Sequence, residues 1–400
     1  MPMSVLDIGA SKIMCVQGRA YESGVEIVGA ANCASYGFSD GVLLNLDECE
    51  DSILRAVEML ERSTSEDVKK IYVSVGGQAV SSVLVSLSSS IFGERVAEED
   101  LQALFRKAYD LELLRDNLII HMIPLGYKID SRGGILDPRS MSGEVLEVQL
   151  LLILLQRSYA EGVEHILQRC HIELAGYIST AYASSISTLL ESEKDNGVLH
   201  IDLGARTTAV SIYSNGNLID LFHFSVGGDF ITKDIALGLG TRYAEAERLK
   251  VLYGSSIVEQ GDERKMLDVS FDDDKIESRK ISRLFFINII NSRVEEIFEL
   301  IDQKLQKKRL SFPMRIVLTG GASQLPGVLE KAERILKGSV RLGLPFNVLS
   351  HSSPHVGPDF SVCSGMLQLA ASGEGAFKSV RHKKTRGVFR RLKAWLYDNI

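Results

Sequence analysis

Two stretches of the chain share one pattern: residues 5–13 read VLDIGASKI and residues 200–208 read HIDLGARTT. In each stretch an apolar, strand-like run ends in an aspartate, a turn of small residues follows, and a second apolar run begins. The two copies are separated by nearly half of the chain. A repeat on this scale predicts two related domains that face each other, each beginning with an antiparallel pair of strands.

These aspartate-and-glycine turns have the chemistry of a phosphate-binding site. Small residues after a strand let backbone N–H groups approach a phosphate, because no Cβ stands in the way. An aspartate just before such a turn, here Asp7 or Asp202, can hold Mg²⁺ against the phosphates, usually through water. Two ordinary hairpins are the alternative, but two copies in matching strands favour a paired phosphate site.

A third turn, residues 318–323 (LTGGAS), follows a predicted buried strand at 315–319 and precedes a helix predicted at 327–336. A Gly-Gly turn between a strand and a helix offers backbone on which a flat base or sugar can lie. A plain strand-to-helix connection is the alternative.

The patterns between the turns predict an α/β chain with an insertion. A hairpin turn is expected at 214–217 (SNGN), a strand at 218–226 and a helix from Asp229. The segment 82–159 has no phosphate-type turn and is interpreted as an inserted subdomain. The other predicted strands are at 83–87, 118–124, 145–155 and 174–179, and the other predicted helices are at 98–113, 160–170 and 181–192. The region 243–311 is predicted to be mainly helical. A charged loop at 262–280, which includes Asp272, Asp273 and Asp274, is expected to interrupt it.

Composition excludes several protein classes. The chain has 400 residues, with 45% hydrophobic and 24% charged, which is typical of a soluble globular protein with more than one domain. No apolar run is long enough to span a membrane, and the N-terminus shows no secretory signal pattern. Five scattered cysteines without a CxxC pair argue against disulfides or a zinc site and favour a reducing cytosol.

Charge is concentrated at the C-terminus. The net charge is −7, yet residues 373–400 hold eight Lys or Arg against two acidic residues. An acidic body with one basic tail does not resemble a nucleic-acid binder. Residues 387–400 have helical periodicity, and a polar, Gly-containing linker at 373–386 precedes them. We expect a membrane-surface helix rather than a terminal helix docked on the body. Its apolar residues are Val388, Phe389, Leu392, Trp395 and Leu396, and its basic residues are Arg390, Arg391 and Lys393.

The three turns, in this order, resemble the two phosphate motifs and the adenosine motif of the actin-like ATPase superfamily. Within that superfamily the chain is similar, essentially end to end, to the bacterial cell-division family FtsA. The supporting segments are residues 7–13 (DIGASKI), 70–77 (KIYVSVGG), 225–236 (SVGGDFITKDIA), 246–250 (AERLK) and 316–321 (IVLTGG).

The resemblance implies an actin-like α/β fold, duplicated and ribonuclease H-like, with two facing domains, an inserted IC-type subdomain and a C-terminal amphipathic helix. The implied divisions are subdomain IA at 1–81 and 160–196, IC at 82–159, IIA at 197–228 and 312–372, IIB at 229–311, the flexible basic linker at 373–386, and the membrane-targeting helix at 387–400.

The resemblance also implies a site for ATP and Mg²⁺ between the two domains. No catalytic residue is assigned. Asp7 and Asp202 would face the metal ion. The residues implied for the nucleotide are Gly9, Ala10, Ser11 and Lys12 on one side of the phosphates, Gly204, Ala205, Arg206 and Thr207 on the other, Glu247 and Lys250 near ribose and adenine, and Gly227, Gly228, Gly320, Gly321 and Ser323 completing the pocket.

One position departs from the family pattern. Arg206 stands where the second phosphate turn usually has glycine. A positive φ would be costly for an arginine there, although its guanidinium can instead pair with phosphate oxygens. No water-activating Glu, Gln or His occurs in residues 177–185. We therefore expect ATP binding with weak or absent hydrolysis.

The function implied by the resemblance is that of a polymerising membrane tether. The IIB region would bind the C-terminal peptide of the tubulin-like FtsZ, and actin-like head-to-tail contacts involving IC would build filaments. The basic helix would hold these filaments on the anionic cytoplasmic face of the inner membrane at the division site, where later divisome proteins assemble. A pilus or secretion scaffold and a small-molecule kinase or phosphatase are the alternatives. The scaffold would lack this tail, and a kinase would need a general base in the cleft.

Overall fold

The computed structural model describes residues 2–22, 24–270, 278–308, 315–350 and 356–373. The strands are β1 (Met3–Ile8), β2 (Lys12–Tyr21), β3 (Gly24–Ala34), β4 (Phe38–Ser39), β5 (Val42–Leu43), β6 (Lys70–Val75), β7 (Val80–Ser90), β8 (Asn117–Ile129), β9 (Arg132–Ile135), β10 (Val145–Gln156), β11 (Glu173–Ser179), β12 (Val198–Leu203), β13 (Thr208–Ser214), β14 (Asn217–Phe224), β15 (Met266–Ser270), β16 (Ser278–Ser282), β17 (Arg315–Thr319), β18 (Ser339–Leu342) and β19 (Val348–Ser350). The helices are α1 (Leu46–Thr64), α2 (Glu98–Arg106), α3 (Arg157–Arg169), α4 (Thr180–Thr188), α5 (Glu191–Asn196), α6 (Gly228–Leu239), α7 (Tyr243–Tyr253), α8 (Arg283–Lys307), α9 (Val328–Leu336) and α10 (Ser361–Ser372).

The two domains have sheets of the same topology, although β19, from the stretch 312–372 predicted for subdomain IIA, joins the first sheet beside β3. The first domain has the strand order β11-β6-β1-β2-β3-β19, and the second has β14-β13-β12-β17-β18. In each sheet the strand that carries the aspartate, β1 or β12, pairs antiparallel with the next strand and parallel with a later one. Asp7 lies opposite Met14 in the first antiparallel pair, and Asp202 lies opposite Ala209 in the second. The duplication predicted from residues 5–13 and 200–208 is confirmed.

Each sheet is covered by helices that bury an apolar stripe. In α1, Ile53 and Leu60 are fully buried against the first sheet, and the Asn45 side chain accepts a hydrogen bond from the Asp47 N–H at the start of the helix. In α8, Phe286 and Phe298 are fully buried in the core of the second domain. Burying each such side chain stabilises the fold by about 1.5–3 kcal/mol, so apolar packing is a main source of stability within each domain.

An inserted unit follows β6, with its own sheet in the order β7-β10-β8-β9 and its own core. Helix α2 packs on this sheet through Leu101 and Phe105. The Asp100 carboxylate caps the start of α2 by accepting a hydrogen bond from the Ala97 N–H at 2.8 Å. The single helix predicted over 98–113 is interrupted: α2 ends at Arg106, and residues 107–110 and 112–114 form two short 3₁₀ turns. The chain becomes extended at Leu111, because this residue and the leucines after it pack onto the insert's core.

Two further elements differ from prediction. The helix expected over 181–192 is split, because Leu189 and Leu190 are extended and Glu193 caps a new helix by accepting a hydrogen bond from the Leu190 N–H. The charged stretch at 262–280 contains strands β15 and β16, which pair antiparallel. The predicted hairpin turn at 214–217 and the helix beginning near Asp229 are confirmed.

Some predicted features lie outside the described residues. These are Asp272 to Asp274, the linker beyond Gly373, and the predicted membrane helix with all of its apolar and basic residues. Among the described residues, no helix combines the length and the apolar character needed to cross a bilayer.

Candidate functional site

A cavity of about 640 Å³ lies between the two domains, where β1 and β12 end. Both aspartate turns and the Gly-Gly turn contribute to its wall. Of the residues predicted for the site, the lining includes Asp7, Gly9, Ala10, Ser11, Lys12, Asp202, Gly204, Ala205, Arg206, Thr207, Gly228, Glu247, Lys250, Gly320 and Gly321. Its volume is in the range of cavities that enclose small ligands and cofactors.

The first turn is tightly closed. A Cβ atom on Gly9 would lie 2.7 Å from the backbone oxygen of Lys12, a distance that no side chain tolerates. The second turn closes in the same way, since the Gly204 N–H donates to the Thr207 carbonyl at 3.0 Å. Such turns leave backbone N–H groups at the cavity wall, where a phosphate can accept hydrogen bonds from them.

Two carboxylates face this cavity, the half-buried Asp7 and the buried Asp202. Ser74 Oγ donates a hydrogen bond to Asp7 at 2.7 Å, and burial raises the pKa of Asp7 despite that bond and the nearby Lys12. Burial also raises the pKa of Asp202 to about 7, with a hydrogen bond from Ser184 opposing the shift and the charge of Asp7 adding to it. Each carboxylate therefore disfavours the charge of the other, and a cation near both would relieve that repulsion.

The donor set fits Mg²⁺ held together with phosphates rather than a metal held by protein alone. Mg²⁺ prefers carboxylate oxygen and commonly uses one or two carboxylates plus phosphate and water. In the described part of the chain, no group of three or more His, Cys, Asp or Glu side chains forms a metal cage. Asp7 and Asp202 supply two carboxylates, so the remaining ligands would have to come from a bound phosphate and water.

The Gly-Gly turn packs directly on Asp202. Gly320 has a φ of +86°, and a Cβ there would lie 2.3 Å from Asp202 Oδ1. Glycine is therefore required both by the backbone conformation and by the approach of the carboxylate. Ser323 does not line the cavity but lies behind it, where its hydroxyl donates to the Gly320 carbonyl at 2.7 Å.

Arg206 does not have a positive φ, so the costly backbone geometry considered for this position does not arise. Its Nε lies 2.9 Å from Asp229 Oδ2, so the guanidinium is paired within the protein. Burial alone would raise the pKa of Asp229, but a hydrogen bond from Tyr243 and the Arg206 charge outweigh it and lower the pKa below its ordinary value. The other end of the guanidinium reaches Ser39 in the first domain at 3.4 Å.

Helix α7 closes the opposite side of the cavity. Lys250 Nζ donates to Thr232 Oγ1 at 2.7 Å and to the Gly228 carbonyl at 3.2 Å, and it pairs with Glu247 at 2.7 Å. Gly227 does not line the cavity. It packs behind the second turn, where a Cβ would lie 2.5 Å from the Gly204 carbonyl oxygen.

Several residues at the site were not predicted. Ser74 orients Asp7, Ser184 opposes the pKa shift of Asp202, and Tyr243 donates to Asp229. Asp359, 347 positions from Lys12 in the chain, pairs with it at 2.7 Å. Ser74 stands within the quoted KIYVSVGG segment, but no local pattern marked Asp359.

Comparison with known proteins decides the family. The profile described as "Cell division protein FtsA" matches residues 199–365, and the one described as "SHS2 domain inserted in FTSA" matches residues 77–154. The cell division protein FtsA of Agrobacterium fabrum is 36% identical over 380 residues, covering 91% of this chain and 86% of that protein. The chain belongs to the FtsA family. The FtsA of Rhizobium meliloti is 32% identical, with 99% of this chain and 94% of that protein covered.

Solved structures agree on the fold of this FtsA-family chain. A PilM–PilN type IV pilus biogenesis complex matches with a TM-score of 0.67 at 16% identity, covering 92% of this chain and 98% of that one. MreB5 of Spiroplasma citri bound to ADP matches with a TM-score of 0.54 at 13% identity, covering 94% and 97%. The actin-like α/β fold is confirmed, and the insertion in this FtsA-family chain corresponds to the SHS2 domain.

Proposed function

We propose that this actin-like cell-division protein binds ATP with Mg²⁺ in the interdomain cavity and acts as a polymerising tether between FtsZ and the membrane. The main support for nucleotide binding is that Asp7 and Asp202 line the same cavity of about 640 Å³, which is bounded by glycine-containing turns. Two equivalent strand–turn units from opposite domains supply paired backbone donors to a phosphate chain, which a single hairpin cannot do.

Within this site the residues would have separate tasks. Asp7 and Asp202 would hold Mg²⁺, which supplies charge neutralisation to the phosphates when bound. The two turns would bind phosphate oxygens through backbone N–H groups, while Lys12 supplies a positive charge. Two features favour ATP binding over rapid ATP hydrolysis. Arg206 is paired with Asp229, and residues 177–185 contain no acid, amide or imidazole side chain that could activate a water.

ATP binding is tested by calorimetric titration of the full chain with and without Mg²⁺. We expect Mg²⁺-dependent binding that Asp202→Asn weakens strongly. The control Asp67→Asn changes an exposed carboxylate that does not line the cavity and should leave binding unchanged. Turnover is measured in the same samples. Binding that is equal in the wild type and in Asp202→Asn contradicts the assignment, and rapid turnover contradicts weak hydrolysis.

The FtsZ contact is proposed for the region 229–311, which carries many large apolar side chains exposed to solvent. Leu237 on α6 is 81% exposed and Val251 on α7 is 72% exposed. Leu252, Tyr253 and Val258 add further exposed apolar surface. Such surface is typical of a docking site for a peptide. Titration with the FtsZ C-terminal peptide should show binding that Leu237→Glu abolishes, since Leu237 does not line the interdomain cavity. Binding unaffected by that change contradicts this location.

Self-association is proposed to involve the inserted unit. Phe92 is 79% exposed and Leu136 is 78% exposed there, and β7 lies at the edge of the insert's sheet. Sedimentation of the full chain with ATP should show assemblies that Phe92→Asp disrupts. Assemblies of unchanged size in that variant contradict a contact through this surface.

Membrane attachment is proposed for residues 387–400 on the strength of their sequence pattern. Many weakly binding helices on one filament bind a membrane far more tightly than a single helix does, so polymerisation would strengthen membrane attachment. Full-length protein should sediment with anionic vesicles, while a chain ending at residue 375 should not. Equal sedimentation of both chains contradicts the proposal.

No observation favours the alternative functions. The pilus complex shares the fold at 16% identity, whereas the FtsA proteins share up to 36% identity over nearly the whole chain. A small-molecule kinase would have no use for the basic, amphipathic residues at 387–400.

A further inference from the structure

A second cavity of about 260 Å³ lies beside the interdomain cavity, and both domains contribute to its wall. The first domain supplies the connection from β6 to β7 and the start of β7. The second domain supplies β14 and the end of α8. The lining residues that matter here are Gly77, Ser81, Phe222, His223, Lys304 and Lys308.

Positive charge is concentrated at this cavity. The ammonium groups of Lys304 and Lys308 lie 5.9 Å and 5.3 Å from the centre of the Phe222 ring, and all three residues line the cavity. Lys308 is paired with Asp220. Across the ranges that the structure covers, Lys304 makes no ion pair, so its charge is not compensated by a neighbouring carboxylate.

A polar group in the wall lacks a partner. Both ring nitrogens of His223 are buried without a hydrogen-bond partner among the described residues. Burial lowers the pKa of His223 to about 4, so the neutral ring offers one N–H donor and one acceptor at neutral pH. A buried, unpartnered polar group of this kind needs an explanation, since leaving it unpaired costs free energy.

Two hydrogen bonds near the cavity connect the two sides of its wall. Gln78 Nε2 donates to Ser225 Oγ at 3.2 Å, and Ser82 Oγ donates to the Leu221 carbonyl at 2.8 Å. Gly77 lines this second cavity and the interdomain cavity alike. A ligand bound here would therefore contact both domains next to the nucleotide site.

We propose that the second cavity binds a small oxyanion, a phosphate or carboxylate group, through Lys304 and the imidazole of His223. The ammonium supplies the charge, the ring N–H donates a hydrogen bond, and the Ser81 hydroxyl is a further donor in the wall. The cavity has less than half the volume of the interdomain cavity, which favours a single oxyanion group as its ligand. Because the wall spans both domains, occupancy would be coupled to ATP binding, and the coupling would be reciprocal.

The test follows the His223 ring in full-length protein labelled with ¹⁵N-histidine, with its resonance assigned through His223→Gln. Inorganic phosphate and acetate are titrated separately at constant ionic strength. We expect a saturable shift of the His223 resonance and a rise in its apparent pKa with at least one anion. A response to phosphate identifies a phosphate ligand, and a response to acetate alone identifies a carboxylate.

The matched variants are Lys304→Gln and Lys307→Gln, two lysines on the same helix of which only Lys304 lines the cavity. We expect Lys304→Gln to weaken the response about tenfold, as loss of one charge-assisted hydrogen bond would, and Lys307→Gln to leave it unchanged. No saturable shift with either anion, or an equal response in both variants, overturns the proposal. Phosphate binding in the interdomain cavity does not mimic the result, because Lys304 does not line that cavity.

Discussion

Lys12 Nζ lies 2.7 Å from Asp359 Oδ2, and this pair joins the first aspartate-and-glycine turn to the short 3₁₀ turn that precedes α10. The same ammonium lies 5.9 Å from the centre of the Phe360 ring. The side chains of Lys12 and Asp359 are 40% and 30% exposed, so the pair is accessible to a ligand. The lysine proposed to meet the phosphates is thus paired with a carboxylate of the protein.

Replacing Asp359 should strengthen ATP binding. In Asp359→Asn the ammonium of Lys12 is free to meet a phosphate, and a negative charge near the phosphates is removed. Partly exposed ion pairs contribute about 0.2–1 kcal/mol, so we expect a gain in affinity of up to about fivefold in calorimetric titration. Asp359→Glu, which keeps the charge, is the control. Weaker ATP binding in Asp359→Asn would mean that the pair positions Lys12 rather than competing with phosphate.

Removing the Arg206 side chain should destabilise the second domain. Arg206→Ala leaves the buried carboxylate of Asp229 with Tyr243 and the more distant Lys233 at 3.7 Å. Hydrogen bonds to charged groups contribute about 1.5–3 kcal/mol, and partial exposure of Arg206 reduces this to about 1–2 kcal/mol. Urea unfolding measures the loss, with Arg206→Lys expected to recover part of it. Unchanged stability in Arg206→Ala would show that the pair contributes nothing.

The buried His121 should make the protein sensitive to acid. Its Nε2 accepts a hydrogen bond from the Ser179 N–H at 3.0 Å, and burial lowers its pKa to about 3. The unfolded state takes up a proton below pH 6.5 while the folded state does not, so stability is present above that pH and is lost as the pH falls towards 3. From pH 7 to pH 5 this one group removes about 2 kcal/mol.

The variant His121→Gln measures this contribution, because glutamine has no titratable group. We expect the difference in unfolding free energy between pH 7 and pH 5 to be about 2 kcal/mol smaller than in the wild type. His165→Gln, at an exposed position on α3, is the control and should leave the difference unchanged. An identical pH dependence in His121→Gln and wild type would refute the assignment.

Replacing Asp202 should stabilise the protein in the absence of ligand. Because its pKa is raised to about 7, the ionised carboxylate opposes folding, and this penalty grows as the pH rises from about 4 to 7. Asp202→Asn removes it. Thermal unfolding without nucleotide should give a higher Tm for the variant at pH 8 and a smaller difference at pH 5. A lower Tm at pH 8 would show that the carboxylate is stabilised by contacts other than those described.

Gly320 should not tolerate a side chain. In Gly320→Ala the new Cβ meets both a positive φ and Asp202 Oδ1 at 2.3 Å. Gly261→Ala is a matched control, because its φ is +94° but nothing lies within 4 Å of the added Cβ. Backbone strain alone costs about 1–3 kcal/mol, and the clash adds about 1–3 kcal/mol to Gly320→Ala only. Equal losses in urea unfolding would show that Asp202 moves away without cost.

Local patterns predicted the site's framework well. Residues 5–13 and 200–208 each carry strand, acid and turn signals within nine positions, so the paired hairpins followed from short-range chemistry. Local patterns gave wrong helix ends where contacts with the core determine where a helix stops. The helix expected to reach residue 113 ends at Arg106, since leucines beyond it are drawn onto the insert's core.

The sequence by itself determined the duplicated strand–turn units, the family and the residue types at the cavity wall, because each of these depends on neighbours within a few positions. Only the tertiary structure decided the partners of those residues. Arg206 pairs with Asp229, Lys12 with Asp359, and Asp7 with Ser74. These contacts join positions between 23 and 347 residues apart, and they form only when the strands, turns and helices that carry them have packed. Side-chain pairing over such separations depends on how the sheets and helices pack, which no local pattern encodes.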